Sequence, residues 1–302
     1  MGSTGQKKVV LITGCASGIG RSLALGYHAR GQTVIATDRD DHGLKDLAAA
    51  GMQTFALDVN DSDAINQVFK AVDEEHGGVD VLINNAGYGV MGPTLEVERD
   101  RLRHQFETNV FAPLELIQRA ARTMIPRRTG IIVNVGSVSG ILTTPFAGPY
   151  CASKSALHSL SDALRMELAP FNIRVITFQP GGVRTRFGDT AGDTVQLQKG
   201  SRYAGIRQYI MARTSISQER TISAEKTAAI LMKKIERTRP PRIIRAGPKS
   251  IMLPSLRAFT FVWMRDLILS RKFGLHHLKG MADKGKEGAP ATGSSSLLTA
   301  GQ

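Results

Sequence analysis

Cysteine is scarce in this chain: Cys15 and Cys151 are the two among 302 residues. Each lies inside a motif and not in a paired framework. That argues against a disulfide-stapled secreted domain and for a reducing compartment. No apolar signal segment opens the sequence, because Met1 to Lys8 is short and polar. No run reaches the roughly 18 uncharged apolar residues of a spanning helix. Internal repeats are missing, as is any groove-reading motif or aromatic platform for nucleic acid. Acidic residues run short in the last third. Residues 199–302 hold 20 Lys+Arg against 6 Asp+Glu, whereas residues 1–198 hold 19 against 20, so the whole excess of +13 lies near the C-terminus. A basic region of this kind points to an anionic surface or an anionic substrate; the bland alternative is a solubilising charged face.

What is present fits one large α/β domain with a small extension: 42% of the residues are hydrophobic and 22% charged. Short apolar runs read as buried strands at Lys7–Thr13, Thr33–Thr37, Gln53–Leu57, Val79–Ile83, Gly130–Val135 and Asn172–Phe178, with a last one at Arg242–Arg245. Helical spacing falls between them at Arg21–Arg30, Leu44–Ala50, Asp61–Glu75, Arg99–Met124 and Tyr150–Ala169. Asp61 or Ser62 is placed to cap the third of these. Asn109 falls inside the long fourth one, and Pro113 is expected to bend it or restart a turn. Strand and helix alternating at short intervals argue for a parallel sheet with helices on both faces. Residues 1–248 read as this domain, 249–280 as an apolar and basic helical extension, and 281–302 as a disordered Gly/Ala/Ser/Lys-rich tail.

Gly14-xxx-Gly18-x-Gly20 lies between the first strand and the first helix. Glycines there allow a tight turn and let the backbone approach a pyrophosphate at the helix N-terminus. Asp38 closes the second strand, where a carboxylate can accept hydrogen bonds from adenosine ribose hydroxyls and repel a 2′-phosphate. NAD(H) is therefore the favoured cofactor. Arg39 follows and could pair a 2′-phosphate if Asp38 turned away, which keeps NADP(H) in play.

Tyr150 and Lys154 stand four apart, on one face of a helix. An ammonium beside a phenol favours the phenolate, so the Tyr150 pKa is expected to fall from about 10 towards neutrality. Such a phenol can exchange a proton with an alcohol or carbonyl near pH 7. Ser137 follows the fifth strand and could hold a substrate oxygen against Tyr150. A bare Tyr-x-x-x-Lys is common, and a structural tyrosine beside a surface lysine is its more usual explanation until the rest of the chain is weighed.

These stretches together resemble the short-chain dehydrogenase/reductase family over about residues 7–190. Thr13 to Gly20 looks like its cofactor loop, with Gly14, Ser17, Gly18, Ile19 and Gly20. Asp58-Val59 looks like its adenine contact, and Asn84-Asn85-Ala86-Gly87 like the motif that steadies the sheet beside the adenosine. Asn109, Ser137, Tyr150 and Lys154 match its catalytic tetrad in order and spacing. Pro180, Gly181, Val183 and Thr185 look like the segment beside the nicotinamide. The resemblance implies a Rossmann-type, doubly wound, seven-stranded parallel sheet and a hydride transfer. It implies Tyr150 as general acid/base and Ser137 positioning the substrate oxygen. Lys154 would lower the phenol pKa and bind the nicotinamide ribose, and Asn109 would hold a water in a proton relay. No metal is implied. Val135 to Gly140, Pro145 to Lys154 and Asp162 to Phe171 look like the branch of 1-acyl-dihydroxyacetone-phosphate reductases, whose neighbours are 17β-hydroxysteroid and retinol dehydrogenases. Asp38 departs from the NADPH preference expected of the acyl-dihydroxyacetone-phosphate enzymes.

Residues 186–225 are expected to fold over the site. Phe187, Val195, Leu197, Tyr203, Ile206, Tyr209 and Ile210 either line an apolar pocket there or pack on the sheet. Arg202, Arg207 and Arg213 could meet an anionic head group, with solvated charges as the plainer reading. In Lys249–Lys272 the charges Arg257, Arg265 and Asp266 break up the apolar residues, which fits a helix lying in a membrane interface with Trp263 at headgroup level. The alternative is packing on the substrate region or on a partner subunit. The leading expectation is an enzyme of lipid, steroid or retinoid metabolism. It would interconvert a secondary alcohol and a ketone or aldehyde on a lipophilic substrate, peripheral on the cytoplasmic face of endoplasmic reticulum or lipid droplet, and a homo-oligomer is compatible with it. The other class is a dinucleotide-sensing, membrane-attached binding protein with little catalysis.

Overall fold

Apolar residues alternate along the strands, and the alternation sorts them into two layers. The computed structural model describes residues 7–216 and 220–278; the expected tail at 281–302 lies outside the described residues. In chain order the first half runs β1 (Val9–Thr13), α1 (Gly18–His28), β2 (Thr33–Asp38), α2 (Lys45–Ala49), β3 (Gln53–Ala56), α3 (Ser62–His76), β4 (Val81–Asn84), α4 (Arg99–Phe106) and α5 (Ala112–Arg127). The second half runs β5 (Gly130–Val135), α6 (Gly148–Glu167), β6 (Ile173–Pro180), β7 (Val183–Arg184), α7 (Phe187–Asp193), α8 (Arg207–Ser215), β8 (Ile222–Ser223), α9 (Ala224–Ile235), β9 (Ile243–Ala246), α10 (Met252–Phe259) and α11 (Val262–Lys272).

Seven strands pair in the order β3-β2-β1-β4-β5-β6-β9, every pair parallel. Val10, Ile12, Val34, Ala36, Ile83, Val133 and Ile176 face one way, onto Leu23 and Ala24 of α1, Leu47 of α2, and Leu231 and Ile235 of α9. Val9, Leu11, Ile35, Leu82, Ile132 and Val175 face the other way, onto Ile65 and Phe69 of α3 and Leu116, Ile117 and Met124 of α5. A period of two in each strand thus feeds two helical layers, the doubly wound arrangement. Truncating a residue such as Leu82, fully buried, would cost about 2–5 kcal/mol.

Local signals set the helix ends. Asp61 caps α3, its Oδ1 accepting from Asp63 N and Ala64 N. Gly77, at φ +72°, ends that helix in the left-handed conformation. The long helix expected over Arg99–Met124 is interrupted before Pro113. A π turn over Glu107–Phe111 joins α4 to α5, and Pro113 sits in the first turn of α5, where a missing N–H costs nothing.

The last elements have two characters. Phe273 is buried, and with Leu269, Leu275 and Leu278 it packs against Phe146, Ile206 and Ile210. Ile251, Phe259, Phe261, Val262 and Trp263 instead face outward, with Phe259 87% and Trp263 66% exposed. Among the described residues, no helix is long and apolar enough to cross a membrane.

Candidate active site

The carboxyl ends of β1, β2, β4, β5 and β6 meet along one crevice. On its dinucleotide side Gly14 turns at φ +75° and α1 starts at Gly18, pressed onto the end of β1. A Cβ on Gly20 would lie 2.1 Å from the Gly14 carbonyl oxygen, so only glycine permits this approach. Ser17 precedes α1 in extended conformation and its side chain makes no cap. The first-turn N–H groups therefore stay open, as an anion site requires. A cleft of about 410 Å³ lies beside them, lined by Gly18, Arg21, Ser22, Thr185 and Arg186 among others. The sequence-expected loop, its open helix end and this cleft fit the diphosphate of a dinucleotide.

The other expected cofactor residues collect here too. Asp38 Oδ2 accepts from Ala16 N at 2.9 Å and its Oδ1 from Asp40 N at 3.0 Å, which fixes the carboxylate against the loop. Arg39 beside it is exposed. Thr13 Oγ1 accepts from the backbone N–H groups of Asn85 and Ala86, each at 3.0 Å. Asn85 Nδ2 donates back to the carbonyls of Thr13 and Gly14. Thus the end of β4 is fastened to the glycine loop. Asp58 is exposed and Val59 buried after β3, Asp58 accepting from Asn60 N at 2.9 Å. Ile19 packs on the sheet core. After Pro180, Gly181 N donates to Ala246 O at 2.8 Å. Val183 is buried, and Thr185 lies against Gly18.

The four expected catalytic residues converge, all buried. Tyr150 and Lys154 lie one turn apart on α6, which begins at Gly148 with Pro149 in its first turn. Lys154 Nζ donates to Val135 O at 2.8 Å, and burial lowers its pKa to about 8. Ser137 Oγ accepts from Ser139 N. Asn109, held in the π turn, donates through Nδ2 to Tyr88 O at 2.9 Å and to Ser153 Oγ at 3.0 Å, and accepts from Tyr88 N. Gly87 makes room for this group: a Cβ there would meet Asn109 Oδ1 at 2.9 Å and Lys154 Nζ at 3.4 Å.

One expectation is overturned. The Tyr150 pKa rises, to about 12, because burial strips water from the phenolate. A hydrogen bond with Ser137 and the positive charge of Arg213 pull it down only in part. Lys154 lends no such help here, its ammonium being turned to the Val135 carbonyl. Spacing along the helix located the pair but could not weigh burial against charge.

His158 belongs to none of the sequence motifs. It stands one turn beyond Lys154, completing an i, i+4, i+8 row with Tyr150, and that row was the available signal. His158 Nε2 accepts from Ser137 N at 3.3 Å. Burial and the Lys154 charge lower its pKa to about 4, so the ring is neutral near pH 7. Gln105 also lies outside them. It is fully buried, accepts from Val90 N and donates to Tyr88 O, both at 2.8 Å. Thr194 pins the same loop from the other side, accepting from Met91 N and donating to Gly89 O.

Of the apolar residues expected over the site, Phe187 and Val195 border a cluster of Met91, Ala147, Tyr150, Cys151 and Ala191. The Phe187 ring stands 5.3 Å from that of Tyr150. Ile206 and Ile210 instead pack fully inside the Phe146–Phe273 cluster, with Leu197, Tyr203 and Tyr209 at its edge. Among the described residues, no group of three or more His, Cys, Asp or Glu side chains gathers as a metal site.

Comparison with known proteins agrees with this geometry. The family model described as short chain dehydrogenase matches residues 8–196. The short-chain dehydrogenase virD of Hypocrea virens is 32% identical over 287 residues, covering 91% of this chain and 96% of that one. An NADPH-dependent 1-acyldihydroxyacetone phosphate reductase of Schizosaccharomyces pombe is 37% identical over 182 residues, 60% of this chain and 61% of that one. Among solved structures, a short-chain dehydrogenase from Streptomyces avermitilis superposes with a TM-score of 0.74 at 28% identity, covering 95% of this chain and 100% of that one. The glycine loop, the buried Tyr150–Lys154 pair and these matches lead to one conclusion: the chain belongs to the short chain dehydrogenase family and is an NAD(P)-dependent oxidoreductase.

Proposed function

We propose that this chain interconverts a secondary alcohol and a ketone or aldehyde on a lipophilic substrate, with NAD(H) preferred over NADP(H). The observation that carries this is Tyr150: a buried phenol, hydrogen-bonded to Ser137, flanked by Met91, Ala147 and Phe187. Ser137 holds the substrate oxygen against that phenol. Tyr150 gives it a proton in reduction and takes one in oxidation. Lys154, donating to the Val135 carbonyl one turn from Tyr150, meets the nicotinamide ribose. Asn109 braces Tyr88 and Ser153, and with them the wall behind Lys154. Gly14, Ser17, Gly18, Ile19 and Gly20 hold the dinucleotide with Asp58, Val59, Asn85, Ala86, Gly87, Pro180, Gly181, Val183 and Thr185. The bound dinucleotide supplies the hydride chemistry. The fixed carboxylate of Asp38 supports the NAD(H) preference, since it would repel a 2′-phosphate.

Residues 1–248 form the cofactor-binding unit in this reading, and 249–272 the part that meets a membrane surface. The outward Phe259, Phe261 and Trp263 beside Arg257 and Arg265 suit an interface with anionic lipid. A second reading, an acyl-dihydroxyacetone-phosphate reductase using NADPH, is favoured by the Schizosaccharomyces pombe relative. Titrating the purified protein with NADH and NADPH, followed by nicotinamide fluorescence, separates the two: tighter NADH supports the first reading, tighter NADPH the second. Turnover on a panel of fatty, steroid and retinoid alcohols and ketones tests the chemistry. Tyr150→Phe is expected to lower kcat by about 10²–10⁴ and to spare NADH binding. Appreciable turnover in that variant would overturn the mechanism. A wild-type protein that turns over nothing, while NADH changes its affinity for vesicles, would make it a dinucleotide sensor.

A further inference from the structure

We infer that Arg213 receives an anionic group of the substrate, a carboxylate or a phosphate carried close to the carbon that reacts. The inference rests on the oxidoreductase reading above and adds the charge of the substrate to it. Three arginines line one segment of the basic last third. Arg202 and Arg207 are exposed, but Arg213 retains only 5% of its surface. It lies on the inward face of α8, one turn from Ile210, which is packed against Phe146 and Phe273. An arginine at a surface can extend its head into water; this one points its head inward.

Arg213 also lacks the partners that normally accompany a buried guanidinium. Nε donates to Thr144 Oγ1 at 2.8 Å. Among the described residues that is its one hydrogen bond, and no carboxylate pairs with it. Its terminal nitrogens are also not among the buried polar atoms sealed off without a partner. Four N–H donors thus remain without a partner among the described residues, and each terminal nitrogen keeps some surface. The guanidinium stands close to the chemistry, because its charge acts on the Tyr150 hydroxyl and the Cys151 thiol. A planar guanidinium with a free edge matches the two oxygens of a carboxylate or phosphate. The dinucleotide's own diphosphate is already accounted for at the α1 N-terminus beside Arg21. Arg213 thus links two apolar clusters: its charge acts on Tyr150, which packs with Met91 and Phe187, and it follows Ile210, which packs with Phe146 and Ile206. The fitting ligand is a chain or ring system that is apolar over most of its surface and ends in one anion.

The test is calorimetric titration of the NADH-saturated protein with octyl phosphate, octanoate and octanol. At least one anion is expected to bind about tenfold tighter than octanol, and the tighter of the two identifies phosphate or carboxylate. Arg213→Met should erase this gap while leaving octanol affinity unchanged. Arg213→Lys should keep part of it, and Arg202→Ala, which alters exposed charge alone, should keep all of it. Equal binding of the three probes to the wild type overturns the inference, as does a gap that survives in Arg213→Met. If Arg213→Met does not fold, judged by melting and NADH binding, the wild-type comparison alone decides. The readout is binding, so turnover on neutral ketones without anion preference would reject Arg213's role and leave the oxidoreductase reading standing.

Discussion

Asn109 and Arg213 are both buried polar side chains close to Tyr150, and they come from different parts of the chain. Asn109 belongs to the sheet-end framework and has protein partners on both ends of its amide. Arg213 belongs to the last third and, among the described residues, makes one hydrogen bond from five donors. The same contrast runs through both regions. Thr13, Asn85, Gln105 and Ser137 are tied into the framework by hydrogen bonds. The last third leaves Phe259, Phe261 and Trp263 in water. A region whose bonds are complete presents a fixed shape, which suits a cofactor of one shape. A region with open demands is completed by whatever it meets, and its composition therefore reports on those partners.

If the framework is complete, small intrusions there should have large effects. Gly20→Ala drives a Cβ into the Gly14 carbonyl. It is expected to cost about 3 kcal/mol or more and to abolish NADH binding, measured by thermal melting and fluorescence titration. A well-folded Gly20→Ala protein that binds NADH normally would break the comparison. A smaller effect is expected at His158. Its pKa is lowered to about 4 from an ordinary 6.5, so the unfolded chain takes up this proton first as pH falls. The stability it supports is full above about pH 6.5 and declines through pH 4, by about 3 kcal/mol in all. His158→Gln should flatten urea unfolding against pH in that window; an unchanged acid slope would show that the ring is not held neutral. The smallest effect on stability is expected outside. Phe259→Ser combined with Trp263→Ser should move stability by no more than about 0.5 kcal/mol, yet release the protein from anionic vesicles in a flotation assay. Point substitution is sharper here than truncation after Pro248, which would also remove the buried Phe273 from its cluster. Equal flotation of variant and parent would reject this face as the membrane contact.

The sheet and the cofactor loop were legible because their causes are local. Apolar runs of strand length and glycines at forced turns leave marks in the order of residues. The π turn was not legible. Nothing in Glu107–Phe111 breaks a helix, and Pro113, the residue that attracted attention, fits a first turn without strain. The Tyr150 pKa was misjudged because the sequence shows the neighbouring Lys154 and hides the loss of water. Arg202, Arg207 and Arg213 look alike in sequence; only the packing of α8 separates two solvated charges from a buried one. Phe187 and Ile210 likewise differ only in which cluster they join.

His158 also constrains how this chain can change one residue at a time. A Cβ at Gly136 would come within 2.1 Å of the imidazole Nε2, with Phe178 O next at 3.2 Å. Loss of the ring would leave Gly136 with no contact nearer than Phe178 O at 3.2 Å, so alanine there becomes tolerable only after position 158 has become small. Gly140 has no such route, because beyond the ring its Cβ would still meet the backbone carbon of Lys154 at 2.9 Å. Of two glycines that touch the same histidine, one is conditionally fixed and the other permanently so. Descendants of this sequence with a small residue at 158 should vary at 136 and stay glycine at 140.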